Sequence, residues 1–161
     1  MQDKNVPEVI DYFMQMLPLI AARSKDPNTK VGAIVVGPDG AIRTTGYNGL
    51  VRGIDDDVPE RWSRENGEKY YWCEHAERNA IYSGARNGVA LLDCMMFTSL
   101  MPCVDCARGI VQAGIRQIVV DGETSKARQQ QNTTWEKSHE RALRTLYEAD
   151  VELILWPQGT D

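Results

Sequence analysis

Residues 95–121 read MMFTSLMPCVDCARGIVQAGIRQIVVD, and this stretch decides the fold class. Its apolar start, residues 95–100, predicts a buried strand. Pro102 suits the first turn of a helix, and Gly114 is typical of a helix end. A second strand is predicted over residues 117–121. Because a helix that connects two strands in this way usually makes them parallel, the stretch predicts a layered α/β domain.

The alternation continues towards the C-terminus. After a polar connection, residues 135–150 place apolar side chains between charged ones with the spacing of an amphipathic helix. Residues 151–156 (Val-Glu-Leu-Ile-Leu-Trp) predict the final strand. The strands of this half of the chain should therefore be parallel.

The first half of the chain predicts two further helices. Residues 5–8 (Asn-Val-Pro-Glu) have capping-box spacing, so a helix should run from there to about Ser24, with a kink at Pro18. Another helix should run over about residues 74–85, because Asn-Gly at 87–88 is a stop signal.

Between these helices the chain predicts a hairpin and a loop. Residues 31–36 (Val-Gly-Ala-Ile-Val-Val) predict a buried strand, and Pro-Asp-Gly at 38–40 supplies the turn into a second strand that ends near Tyr47. Residues 52–73 are charged and without a clear period. They predict a long surface loop.

A metal-binding pattern lies at the starts of two predicted helices. His75 and Glu77 form an H-x-E motif, and Pro102 directly precedes the Cys103-x-x-Cys106 motif. One imidazole and two thiolates give zinc three ligands and leave the fourth position for water, whose pKa falls from about 15.7 to roughly 7. Glu77 can then move protons without binding the metal. The expected chemistry is hydrolytic.

Neither half of this pattern is specific alone. The two cysteines could be a redox pair or half of a structural zinc site. In order and together, the two halves are the signature of zinc-dependent nucleobase deaminases. Helix N-termini favour thiolate over thiol at Cys103 and Cys106, which supports the same interpretation. Cys73 is predicted to stay off the metal, because a fourth thiolate would displace the water, and Cys94 is predicted to be a small buried hydrophobe.

Length and composition indicate one cytoplasmic domain. The chain has 161 residues, of which 42% are hydrophobic, which suits one core. Its apolar runs are too short to cross a membrane, no signal peptide is expected, and thiolates on zinc favour a reducing compartment. A net charge of −5 argues against long nucleic acids and favours a free nucleotide. The cations that could bind its phosphate are Lys25, Lys30, Arg43, Arg52, Arg61, Arg64 and Arg86.

The chain resembles the cytidine deaminase superfamily, and within it most closely the deoxycytidylate (dCMP) deaminases. The resemblance spans most of the chain and includes segments on both sides of the metal motif. These segments are residues 24–33 (SKDPNTKVGA), 46–49 (GYNG), 56–57, 65–66, 69–70 and 75–81 (HAERNAI).

This resemblance implies a three-layer α/β domain over residues 1–161, with a mixed five-stranded sheet flanked by helices. It implies the hydrolysis of dCMP to dUMP and ammonia, which feeds thymidylate synthesis. Zinc would be held by His75, Cys103 and Cys106. Glu77 would carry a proton from water to the ring nitrogen and then protonate the departing amine.

The resemblance also assigns residues to substrate binding and regulation. Asn48 and Ala76 would bind substrate, although Asn-Gly at 48–49 also suits a plain turn. Tyr47, Gly49 and Arg86 would take part in allosteric regulation by dCTP and dTTP, and Mg²⁺ would accompany the triphosphate. The protein would be a homo-oligomer, often a hexamer. Arg86 could equally be a cation that stabilises a helix C-terminus.

One family feature is missing. Relatives often carry an aromatic residue that contacts the substrate after the strand that follows the cysteine helix, but residues 121–124 (Asp-Gly-Glu-Thr) have none. Trp62, Tyr71 or Trp72 could supply this aromatic face, although core packing is the more usual role for each of them. His139 is predicted to be solvated.

Two alternative functions remain open. The chain could be a related deaminase that acts on dCTP, guanine, another free base or nucleotide, or adenosine in tRNA. It could also be a zinc-stabilised regulatory or assembly subunit. The presence of Glu77 argues against the second, because a structural zinc needs no proton shuttle.

Overall fold

A mixed five-stranded sheet forms the centre of the protein. The computed structural model describes residues 6–131 and 135–157. The strands of the main sheet are β1 (Gly32–Val36), β2 (Ile42–Tyr47), β5 (Met95–Thr98), β6 (Gln117–Asp121) and β7 (Glu152–Trp156), and a two-stranded sheet consists of β3 (Gly49–Leu50) and β4 (Cys73–Glu74).

The order of the main sheet is β2-β1-β5-β6-β7. β1 pairs antiparallel with both β2 and β5, whereas β5, β6 and β7 run parallel. The predicted hairpin, the parallel second half and the mixed five-stranded sheet are therefore confirmed.

Helices cover both faces of this sheet. They are α1 (Val9–Ala21), α2 (Lys69–Trp72), α3 (Ala76–Asn87), α4 (Val104–Gln112), α5 (Gly122–Gln131) and α6 (Glu136–Glu148). None of the helices in the described ranges is long and apolar enough to span a membrane.

The side chains of β1 alternate between two cores, since successive residues of a strand point to opposite faces. Ala33 and Val35 join the core that packs against α3, α4 and α6. Ile34 and Val36 join the core that packs against α1. All five residues of β1 are buried, as expected for a strand inside a three-layer domain.

β2 and α3 approach each other very closely at Gly46. A Cβ atom at this position would lie 2.2 Å from the carbonyl oxygen of Ala76 and 2.4 Å from the amide nitrogen of Ala80. Only a glycine lets the helix lie this near the strand. The contact fixes the start of α3, where the predicted metal site begins.

Several predicted boundaries differ from the structure. The first helix begins at Val9 and ends at Ala21, and Asn5 of the predicted capping box lies outside the described residues. The predicted loop over residues 52–73 is more ordered than expected, because it contains two 3₁₀ turns, α2 and the start of β4. The polar connection after β6 is in fact helix α5.

Candidate active site

The three predicted metal ligands meet between the first turns of two neighbouring helices. His75 is the N-cap residue of α3, Cys103 is the N-cap residue of α4, and Cys106 lies one turn further along α4. Each sulfur lies 3.4 Å from Nδ1 of His75, and the three ligand atoms lie within 4.8 Å of one another. Tetrahedral zinc with ordinary bond lengths places its nitrogen and sulfur ligands about 3.6 Å apart. The cluster therefore fits a zinc ion.

A hydrogen bond between the two cysteine side chains moves their pKa values in opposite directions. A hydrogen bond from Cys106, helped by His75 and opposed by burial, lowers the pKa of Cys103 to about 3. The same hydrogen bond, together with burial, raises the pKa of Cys106 well above its ordinary value. Because a metal ion binds the thiolate form of cysteine, a cation bound here would favour deprotonation of both side chains.

Glu77 lies one position inside α3 and lines the same cavity as the ligands. Only 3% of this residue is exposed. Burial raises the pKa of its carboxyl, and the nearby His75 opposes the shift. A carboxyl group with a raised pKa is suited to taking up and releasing protons near neutral pH.

The cavity beside the cluster has a volume of about 350 Å³. Trp135 and Tyr70 line it, with ring centroids 5.6 Å apart. The predicted substitutes for the missing aromatic residue do not line it: Trp62 is buried and donates its Nε1–H to the carbonyl of Asp56, and Tyr71 is 79% exposed. Trp72 donates to Glu68. The prediction missed Trp135 and Tyr70 because neither follows a strand end.

His139 also lines this cavity, whereas the sequence predicted a solvated residue. It is half-buried, and its Nδ1 lies 3.1 Å from Nε2 of Gln129. Burial lowers the pKa of its imidazole. α6 turns this side chain inwards, and its position between Ser138 and Glu140 gave no sign of that.

Two guanidinium groups converge on one hydroxyl at the cavity wall. Arg64 and Arg128, hereafter the arginine pair, donate to Oγ1 of Thr29 at 3.2 and 2.8 Å. All three residues line the cavity. Arg64 was among the predicted phosphate ligands, and Arg128 was not, because α5 was not predicted.

The other predicted cations lie elsewhere. Lys25 pairs with Asp56, Arg43 pairs with Asp39, and Arg61 lies over the ring of Trp72. The remaining predicted cations are exposed and do not line the cavity: Lys30, Arg52 and Arg86.

The predicted substrate ligands Asn48 and Ala76 both line the cavity. The side-chain amide of Asn48 is buried and bonds to Asp26, Thr29 and Val31. Ala76 begins α3, so its amide N–H has no acceptor within the helix and is available to a ligand.

The predicted regulatory residues lie at both ends of α3. Tyr47 accepts a hydrogen bond from Asn79 through its carbonyl, and Gly49 pairs with Glu74 in the small sheet. Arg86 is exposed in the last turn of the helix, far along it from His75. The structure therefore separates Arg86 from the cavity.

The remaining cysteines stay outside the ligand cluster. Cys73 lines the cavity, and burial raises the pKa of its thiol to about 11. Cys94 is buried.

Comparisons with known proteins agree with this geometry. The family described as the cytidine and deoxycytidylate deaminase zinc-binding region matches residues 7–121. This match covers the larger part of the chain and includes all three ligands and Glu77. The chain belongs to this deaminase family. Its donor set is accordingly a zinc site.

Individual deaminases of the family extend the comparison. The deoxycytidylate deaminase of Homo sapiens is 44% identical over 112 residues, which cover 68% of this chain and 62% of that protein. The chain thus spans less than two thirds of that relative's length. The deoxycytidylate deaminase of Enterobacteria phage T2 is 31% identical over 143 residues, which cover 66% of this chain and 76% of that protein.

A solved structure shares the fold. The dCMP deaminase of cyanophage S-TIM5, in complex with dCMP and dUMP, has a TM-score of 0.73 and 26% sequence identity. The likeness covers 92% of this chain and 96% of the phage protein. The predicted deaminase fold is confirmed.

Proposed function

We propose that the protein hydrolyses dCMP to dUMP and ammonia, and that the product feeds thymidylate synthesis. The observation that carries this proposal is that one cavity joins the zinc cluster, Glu77 and the arginine pair. Zinc and a proton shuttle suit deamination of a base, and two guanidinium groups suit a phosphate. A cytosine nucleotide presents both features. The relatives named above, which are deoxycytidylate deaminases, support the same substrate.

In the proposed reaction, His75, Cys103 and Cys106 would hold zinc, which when bound would make hydroxide available from a water molecule at near-neutral pH. Glu77 accepts the proton that the water releases and passes it to N3 of the cytosine ring. Glu77 then carries the second proton to the C4 amine, which departs as ammonia. The ring is left with an oxygen at C4, so water and dCMP give dUMP and ammonia.

Three further residues would orient the nucleotide. Ala76 would donate its free backbone N–H to the base, and Asn48 would contact the sugar. Trp135 would lie against the base in place of the missing aromatic residue.

The arginine pair provides the test of the substrate. Purified zinc-loaded protein is assayed for ammonia and deaminated product with dCMP, deoxycytidine, dCTP, guanine and a tRNA. We expect the highest kcat/KM with dCMP. Arg128→Gln should raise the KM for dCMP by about 10- to 100-fold, the worth of a hydrogen bond to a charged group, and leave deoxycytidine almost unaffected. Arg144→Gln, on the exposed face of α6, is the matched control. Equal turnover of dCMP and deoxycytidine would show that the protein does not recognise the phosphate, and it would contradict the proposed substrate.

We further propose that residues 1–161 form one cytoplasmic deaminase domain that assembles as a homo-oligomer, as a hexamer by family resemblance. dCTP with Mg²⁺ would activate it and dTTP would inhibit it. The support is the resemblance of the segment 46–49 to regulated relatives, together with α3, which connects the zinc ligand His75 to the exposed Arg86 in one rigid element.

A further inference from the structure

Lys69 is a buried cation that the proposed reaction does not use. Its side chain is 8% exposed, lines the cavity and pairs with Asp26, whose side chain is fully buried. An ammonium group carries three N–H donors. Within residues 6–131 and 135–157, its one hydrogen-bond partner is Asp26. Two donors therefore remain at the cavity wall, and a buried donor without a partner is costly.

Asp26 serves to hold this ammonium group in place. Its Oδ1 accepts the backbone N–H groups of Asn28 and Thr29 at 2.9 and 3.2 Å. Its Oδ2 accepts from Nδ2 of Asn48 at 2.9 Å and from Lys69. A carboxylate offers about four acceptor positions, and all of them are filled. Asp26 has nothing left for a ligand, so its role is positional.

The same contacts fix the orientation of the Asn48 amide. Its two N–H groups donate to Asp26 and, at 2.8 Å, to the carbonyl of Thr29. Its Oδ1 accepts the N–H of Val31 at 2.8 Å. A flipped amide would place its donors against the N–H of Val31 and its oxygen against the carboxylate. Asn48 can therefore offer a ligand only the second lone pair of Oδ1.

A donor and an acceptor thus lie side by side, because Lys69 and Asn48 bond to the same oxygen of Asp26. A hydroxyl group is the ligand that matches them, since it both donates and accepts. Thr29 indicates which part of a nucleotide carries this hydroxyl group. The carbonyl of Thr29 accepts a hydrogen bond from Asn48, and its side-chain oxygen accepts from the arginine pair. The hydroxyl group of the ligand therefore lies near the phosphate, which places it on the sugar.

We propose that Lys69 and Asn48 together recognise the 3′-hydroxyl of the deoxyribose. The hydroxyl donates to Oδ1 of Asn48 and accepts from Nζ of Lys69. This inference rests on the proposed function, and it makes Lys69 a residue that determines specificity for the sugar.

The test compares dCMP with 2′,3′-dideoxycytidine monophosphate, which lacks that hydroxyl. For the unmodified protein, kcat/KM should be higher for dCMP. Lys69→Met should lower the ratio of the two values by about 10- to 100-fold, the worth of a hydrogen bond to a charged group. Both substrates meet the same enzyme, so a partly unfolded preparation leaves the ratio unchanged. Lys126→Met, at an exposed position on α5, is the matched control and should keep the ratio.

Lys69→Gln keeps a donor for Asp26 without the charge, and it serves if the methionine variant does not fold. It should also lower the ratio. If a folded Lys69 variant has the same ratio of kcat/KM values as the unmodified protein, the role of Lys69 is wrong, and the proposed function is unaffected. Failure of the unmodified protein to release dUMP from dCMP would overturn the proposed function, and this inference with it.

Discussion

Trp135 meets the imidazole of His75 edge to face, with ring centroids 5.9 Å apart. The indole comes from the residue just before α6, and Tyr70 completes the aromatic corner from α2. An aromatic wall beside a zinc ligand gives a flat base a surface to lie against. The site therefore has an aromatic wall that Trp135 and Tyr70 supply from the start of α6 and from α2.

Trp135→Ala should raise the KM for dCMP by about 5- to 150-fold, the range for loss of one base–aromatic contact, and change kcat less. Trp135→Phe should restore much of the loss. Steady-state kinetics on both variants check this expectation. Tyr71→Ala removes an exposed ring and is the control. If Trp135→Ala and Tyr71→Ala have the same KM, the indole does not contact the base.

Glu77→Gln should keep the zinc and lower kcat by about 10²- to 10⁴-fold, the usual worth of a positioned acid–base group. The amide has nearly the same shape but cannot carry protons, so the buried position should stay filled. Metal analysis and single-turnover rates measure the two effects separately. Turnover of dCMP at the unmodified rate would exclude Glu77 as the proton carrier.

Cys103→Ser should lose most of the bound zinc, because only one of the two thiolate ligands remains. Cys73→Ser is the matched control, since Cys73 lines the cavity but lies outside the cluster. Metal content after dialysis distinguishes them. Full zinc occupancy in the Cys103 variant would contradict the ligand assignment.

Ser138→Ala should destabilise the start of the cysteine helix. Its hydroxyl accepts the N–H of Val104 at 3.0 Å and so supplies, from α6, the cap that Cys103 does not provide. Loss of such a cap costs about 1 kcal/mol, or about 2–4 °C in the melting temperature of a domain of this size. Ser83→Ala, within α3, is the control. Identical melting temperatures would mean that the cap is unimportant.

Arg86→Glu should weaken activation by dCTP and inhibition by dTTP, while zinc content stays the same. Each effector can shift activity only by binding one of two states better, and Arg86 is the proposed link between them. Activity against effector concentration measures the response. If neither nucleotide changes the activity of the unmodified protein, Arg86 has no regulatory role and only stabilises the helix end.

The sequence predicted those elements whose signals are local. β6 has the predicted bounds, Gln117–Asp121, because an apolar run lies between a helix-ending glycine and a charged residue. The ligand cluster was also predictable, because zinc requires particular side chains and the chain order places them at helix starts.

The recognition residues were less accessible to prediction. α5 is polar along most of its length and shows no apolar stripe, so its pattern resembles that of a loop. Arg128 reaches Thr29 across 99 positions of the chain, and no local pattern encodes such a contact. Lys69 lies within a charged stretch, where no local pattern shows that the fold buries its side chain.

α5 and α6 bring Arg128, Trp135 and His139 to the cavity, and all three lie beyond Asp121, where the family match ends. The predicted metal ligands and Glu77 therefore lie inside the matched region, whereas part of the cavity wall is built from residues that follow it. We therefore expect a substitution at Arg128, Trp135 or His139 to change which ligand the cavity admits, while His75, Cys103 and Cys106 remain unchanged.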